Sequence, residues 1–101
     1  MSVTRNLTSD GSHLTIAVSG RFDFHVYDAF RNAYLDLDRP ARKYSIDLST
    51  AEYMDSAALG MLLLLREHAG GDSADIQILN PQTEVENVLT IAHFDKLFNI
   101  S

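Results

Sequence analysis

The 101-residue chain has no cysteine, which removes disulfides, thiolate zinc sites and thiol nucleophiles together and is compatible with a reducing compartment. Basic residues are scarce. Eight Lys and Arg stand against fourteen Asp and Glu, for a formal net charge of −6, and the cations are scattered from Arg5 to Lys96 without forming a run. That balance predicts no nucleic-acid partner. Long apolar stretches are missing too. The longest, Leu59 with Met61–Leu65 around Gly60, falls far short of the ~18 residues a membrane-spanning helix needs. The opening residues, MSVTRNLTSDG, lack the basic-then-apolar order of a secretion signal. The sequence therefore predicts no membrane insertion and a cytoplasmic location.

What is present suits an ordinary globular core, with 46% hydrophobic and 22% charged residues. A chain of this length is expected to form a single domain over residues 1–101. SVTRNLT and HLTIAVSG are short segments rich in β-branched and apolar residues, separated by the turn-forming Ser9-Asp10-Gly11-Ser12, which predicts a hairpin. Val26, Phe30, Ala33, Tyr34 and Leu37 recur at helical spacing before Pro40, predicting a first amphipathic helix. KYSIDLS alternates as a strand. Ser56–Ala69 is long enough for a helix and ends at Gly70-Gly71, a C-cap pair. ADIQILN reads as a further strand, and PQTEVENVLTIAHF as a helix opened by Pro81 and Thr83. LFNIS is open between a short strand and a tail. The predicted order is β-β-α-β-α-β-α. Right-handed crossovers then give a small α/β fold: a mixed, mostly parallel sheet with an N-terminal antiparallel hairpin and helices packed on it.

The second helix is the anomaly. At 100° per residue, Ala58, Met61, Leu62 and Leu65 share one side, whereas Ser56, Leu59, Gly60, Leu63 and Glu67 fall on another. Neighbouring elements covering both sides would explain the leucines. An exposed docking surface for a second protein would explain them equally, since a glycine there admits a partner's backbone. Ser56 lies at the helix start, where either Asp55 or Ser56 suits the N-cap position.

Enzymatic readings find little support. A serine hydrolase of the common α/β type displays its nucleophile in G-x-S-x-G, but Ser56 sits in YMDSAAL. His13, His25, His68 and His93 read as solitary, with no H-x-x-x-H spacing and no His/carboxylate cluster. No glycine-rich phosphate loop is present, so no cofactor is expected.

The run IDLSTAEYMDSAALGMLLL resembles the signature of STAS domains of the bacterial anti-sigma factor antagonist class. There, a hydrophobic-Asp/Asn-Leu strand leads into (F/Y)-(M/I/L)-D-S-(S/T/A)-G-L-G and a helix. Ile46-Asp47-Leu48 match the strand, Tyr53-Met54-Asp55-Ser56 the loop, and Leu59-Gly60 the first helical turn. Upstream, VSGRFDFHVYDAF resembles the family's second motif, with Gly20 and Asp23 at its positions. Two features depart from the pattern. Ala57 replaces the frequent Ser or Thr and leaves Ser56 the only hydroxyl in the turn. Ala58 replaces the usual Gly and adds a methyl group near a closely fitted interface.

The resemblance implies a protein-binding switch, not an enzyme. Unphosphorylated protein would sequester an anti-sigma factor or related GHKL-type serine kinase. Phosphorylation of Ser56 would release it, and a PP2C-type phosphatase would restore the serine. A STAS protein of the same design controlling a non-sigma target, such as a signalling enzyme or a biofilm or envelope pathway, is the alternative. The implied partner-binding residues are Asp23, Asp55, Ala57, Leu59, Gly60 and Leu63. For Asp55 the residues alone allow capping or orienting the serine, and for Asp23 a partner contact or a helix start.

Overall fold

The structure, a computed structural model, describes residues 2–101. Among these the elements run β1 (Val3–Leu7), β2 (His13–Val18), β3 (Gly20–Phe22), a 3-10 turn (Phe24–Val26), α1 (Tyr27–Leu35), β4 (Lys43–Asp47) and β5 (Ala51–Met54). They continue with α2 (Ser56–His68), β6 (Ile76–Leu79), α3 (Thr83–Ile91) and β7 (Asn99–Ile100). The main sheet has the order β1-β2-β4-β6-β7. β1 and β2 form the expected antiparallel hairpin, and β2, β4, β6 and β7 run parallel.

The hairpin turn is organised by Asp10. Its Oδ1 accepts hydrogen bonds from the Thr8 hydroxyl at 2.7 Å, the Ser12 hydroxyl at 2.7 Å and the Ser12 N–H at 3.0 Å. Those donors, Thr8 first, lower the Asp10 carboxyl to about 2. Gly11 takes the positive φ of 76° that the turn requires.

The crossovers through α1, α2 and α3 all step the same way across the sheet. A common right hand therefore places these helices on one face. β2 follows this, burying Leu14, Ile16 and Val18 while His13, Thr15 and Ala17 stay half-exposed. Tyr44 and Ile46 of β4 and Ile76 and Ile78 of β6 continue the inner layer, and Phe30, Leu62, Leu65, Val85 and Leu89 descend on it from the helices. On the opposite face Ser45 is buried beneath His13, whose Nε2 lies 2.8 Å from its hydroxyl oxygen.

The sequence order lacked β3 and β5, which pair as a separate parallel ribbon with Arg21 opposite Tyr53 and Phe22 opposite Met54. β4 ends at Asp47 because the chain turns there: Asp47 Oδ1 accepts the Ser49 N–H at 3.0 Å, and the Ala51 N–H bonds the Leu48 carbonyl at 3.1 Å. LFNIS does supply a strand, β7. The first helix stops at Leu35, ahead of Pro40, and Arg5 Nη1 donates to the Ala33 carbonyl in its last turn at 3.0 Å. α2 ends as the Gly-Gly pair predicts: after Ala69, Gly70 adopts φ 118°.

Candidate functional site

β5 delivers the chain to the start of α2 with Met54 buried in the core. Asp55 follows with extended backbone, φ −123° and ψ −175°, and its Oδ1 accepts the Ala58 N–H at 3.1 Å. Asp55 is therefore the N-cap, which resolves the alternative left open by the sequence. Ser56 becomes the first helical residue, with an exposed side chain that the cap does not use.

Ala58, Met61, Leu62 and Leu65 are buried, as their spacing predicts. Ser56, Gly60, Leu63 and Glu67 are exposed on the diametrically opposite side. Leu59 is a correction. Expected in the open stripe, it is half-buried and packs against the core, because around the helix it falls between the buried Leu62 and the exposed Leu63, at the border of the two sides. Ala57 is likewise half-buried. Leu64, half exposed, joins the ridge instead, one turn beyond Gly60. The signal for it was the unbroken run Leu62–Leu65: a helix packed on one side cannot bury four consecutive residues.

Asp23 directly follows β3 as Asp55 directly follows β5, and the two strands are paired at Phe22 and Met54. The motif residues, 32 positions apart in the chain, are thus brought to neighbouring strand ends. Asp23 is buried, and its carboxylate is occupied by its own loop. Oδ1 accepts the His25 N–H at 3.0 Å and lies 3.2 Å from His25 Nδ1, while Oδ2 lies 3.3 Å from Arg21 Nε. Burial raises its pKa, but the His25 N–H, the Arg21 guanidinium and the His25 ring together outweigh that and hold the carboxyl below its ordinary value. A direct partner contact through Asp23 is correspondingly restricted. The surface there belongs to Arg21 and His25, both exposed. The Arg21 guanidinium carbon sits 4.0 Å above the centroid of the Tyr53 ring.

The expectation of solitary histidines without a carboxylate neighbour fails at His25. The pair arises from an i, i+2 cap, a shorter spacing than the helical H-x-x-x-H pattern. Phe24, exposed and stacked on Tyr27 at 5.4 Å, was also missed. A cleft of about 400 Å³ lined by Ser19, Gly20, Arg21, Asp23 and His25 opens beside this cluster.

Chemically, Ser56 offers an accessible hydroxyl at a helix N-terminus, where an added anion is tolerated. Among the described residues, the histidines that make side-chain hydrogen bonds make them away from Ser56, His13 to Ser45 and His25 to Asp23. No helix is long and apolar enough to cross a membrane among the described residues.

Comparison with known proteins gives concordant matches. A family model described as Mlab, STAS domain, matches residues 6–99. A STAS-domain containing protein of Pseudomonas aeruginosa is 48% identical over 101 residues, covering 100% of both chains. Among solved structures, the anti-sigma factor antagonist SpoIIAA in its unphosphorylated form superposes with a TM-score of 0.80 at 16% identity, covering 98% of this chain and 87% of that one. The phosphorylated form of the Bacillus protein gives 0.69 at 14% identity, covering 98% and 90%. An anti-sigma factor antagonist from Mycobacterium paratuberculosis gives 0.75 at 20% identity, covering 98% and 85%. These structural likenesses establish a shared fold.

Proposed function

The chain belongs to the STAS-domain family, and from that premise we propose that it is a partner-switching protein controlled by phosphorylation of Ser56. The observation that carries the reading is the placement of Ser56. An exposed hydroxyl stands at the head of a helix whose outward side, Gly60, Leu63 and Leu64, is apolar and open. A relative of the same fold is described in both unphosphorylated and phosphorylated forms.

In the unphosphorylated state the ridge captures an anti-sigma factor of the GHKL-type serine kinase class and frees that regulator's other client. Leu63 supplies apolar area to the contact. Gly60, where an added Cβ would meet nothing within 4 Å, lets a partner backbone come close. Ala57 and the half-buried Leu59 flank the ridge. Asp55 fixes the helix start and with it the direction of the Ser56 hydroxyl.

Phosphorylation by the captured kinase adds about −1.5 to −2 charges and three acceptor oxygens. The helix N-terminus accommodates them, so the fold persists. A partner covering the ridge would have to desolvate that group beside the Asp55 carboxylate, and it dissociates. A PP2C-type phosphatase resets the switch. Shifting a complex from 99% bound to 99% free takes about 5.5 kcal/mol of differential affinity, a scale that a dianion inside a contact approaches.

The test compares capture of a serine-kinase partner by protein carrying serine and by protein carrying phosphoserine at position 56. Loss of capture with an unchanged circular dichroism spectrum is the expected result. Equal capture would overturn the reading.

A further inference from the structure

We propose that Arg21 is the internal receiver of the Ser56 phosphate, so that phosphorylation draws its guanidinium onto the phosphate and reorganises the β3–β5 surface together with the head of α2. The inference rests on the phosphoserine switch proposed above and names the residue that reads it within the chain.

Register is the first support. Arg21 pairs with Tyr53 across the ribbon, and Ser56 lies only three residues further along the chain. Even fully extended, that span is at most about 10 Å, and the step across the ribbon to Arg21 adds about 5 Å, a gap that an arginine arm and a phosphoseryl arm can close from both sides. The second support is preorganisation. The guanidinium is tethered through Nε to Asp23 at 3.3 Å, a bond it keeps when it takes an anion, so the arm is already anchored at the strand end beside Asp55. The third is spare valence. Among the described residues only Nε of Arg21 is engaged in a hydrogen bond, which leaves the Nη pair, the part of the fork that meets two phosphate oxygens at once.

Charge balance supplies the reason for a receiver. A phosphate on Ser56 arrives next to the Asp55 carboxylate, with Asp23 at the neighbouring strand end. Without a nearby cation those groups repel it. Arg21, keeping Nε on Asp23 and offering Nη1 and Nη2 to the phosphate, bridges the two anions. It gives up the face of Tyr53 in doing so, and the half-exposed ring then presents a different surface to a partner.

The experiment uses full-length protein with phosphoserine installed at position 56, as wild type, Arg21→Gln and Arg21→Lys. Phosphorus NMR follows the second ionisation of the phosphate, and proton NMR follows the Tyr53 ring with and without the phosphate. A receiving guanidinium favours the dianion. The midpoint should therefore rise by about half a unit, about a threefold change in proton affinity, in Arg21→Gln. Arg21→Lys should fall between, having the charge without the fork. The Tyr53 ring signals should move on phosphorylation in wild type and not in Arg21→Gln. Coincident midpoints in wild type and Arg21→Gln, with both variants folded, would overturn the proposal. If wild type still releases its partner in that case, the switch stands and only the receiver fails. If the midpoints differ but phosphorylation releases no partner, the receiver stands and the switch fails.

Discussion

Asp23 and Asp55 close two helical turns side by side. Each follows the last paired residue of a parallel ribbon, Phe22 and Met54, and each carboxylate accepts a backbone N–H of the turn that comes next, from His25 at 3.0 Å and from Ala58 at 3.1 Å. The two aspartates that mark the sequence motifs thus start the 3-10 turn Phe24–Val26, which leads into α1, and the helix α2. Ser56 is exposed because the residue before it takes the capping role.

That division of labour has a measurable consequence. Asp55→Ala should lower stability by about 1 kcal/mol, whereas Asp55→Asn should retain most of it, since an amide oxygen can still accept the Ala58 N–H. Urea unfolding followed by circular dichroism measures both. An Asp55→Ala midpoint equal to wild type would show that the bond contributes nothing to the helix.

Leu62 and Leu63 should separate packing from docking. Leu62 is fully buried, and truncation to Ala should cost about 2–5 kcal/mol. Leu63, 39% exposed on the opposite side of the helix, should accept Arg with a stability change within about 0.5 kcal/mol while partner capture is lost. Thermal melts and a pull-down on the same preparations make the comparison. A large melting loss in Leu63→Arg would mean that this leucine belongs to the core.

Gly60 offers a sharper version, because stability and binding should move in opposite directions. A Cβ at this position meets nothing within 4 Å, so Gly60→Ala should stabilise the helix by about 0.5–1 kcal/mol. If a partner backbone approaches here, the same methyl weakens capture. A variant that is both more stable and equally tight would remove Gly60 from the interface.

Much of this arrangement was readable from residue spacing. The buried side of α2, the hairpin turn at Ser9–Ser12 and the glycine-terminated helix end all follow from local chemistry, and the structure places them as the sequence predicts. The ribbon of β3 and β5 was not readable. Gly20–Phe22 and Ala51–Met54 are too short to show an alternating pattern, and they are strands only because the fold aligns them. The same blindness to tertiary neighbours hid the Arg21–Tyr53 stack, and Leu59 sits at the border of the open stripe, where a helical wheel carries no information about how far the core reaches. Asp23 was identified by its motif, but its burial by its own loop required coordinates.

Acid should loosen the hairpin before the remainder of the sheet. The Asp10 carboxyl is depressed to about 2 by the Thr8 and Ser12 hydroxyls and the Ser12 N–H, against about 3.9 in an unfolded chain. A carboxyl that is more acidic when folded stabilises the fold above its unfolded value. That contribution fades as pH falls from about 4 through about 2. Asp23, also lowered, adds to the loss in the same direction. Amide exchange at Thr8–His13 should therefore accelerate over this interval relative to its intrinsic rate, and Asp10→Asn should flatten the dependence. Identical pH profiles for wild type and Asp10→Asn would contradict the assignment.

Ser56→Ala should fold normally and capture its partner permanently, and Ser56→Asp should weaken capture only in part, since one carboxylate has fewer oxygens and less charge than phosphate. The decisive measurement is the dissociation constant of one purified kinase partner for protein bearing serine and for protein bearing phosphoserine at position 56. A loss of at least about 100-fold on phosphorylation, about 2.7 kcal/mol, with the fold unchanged, is the predicted result. Equal affinity in the two chemical states would contradict it.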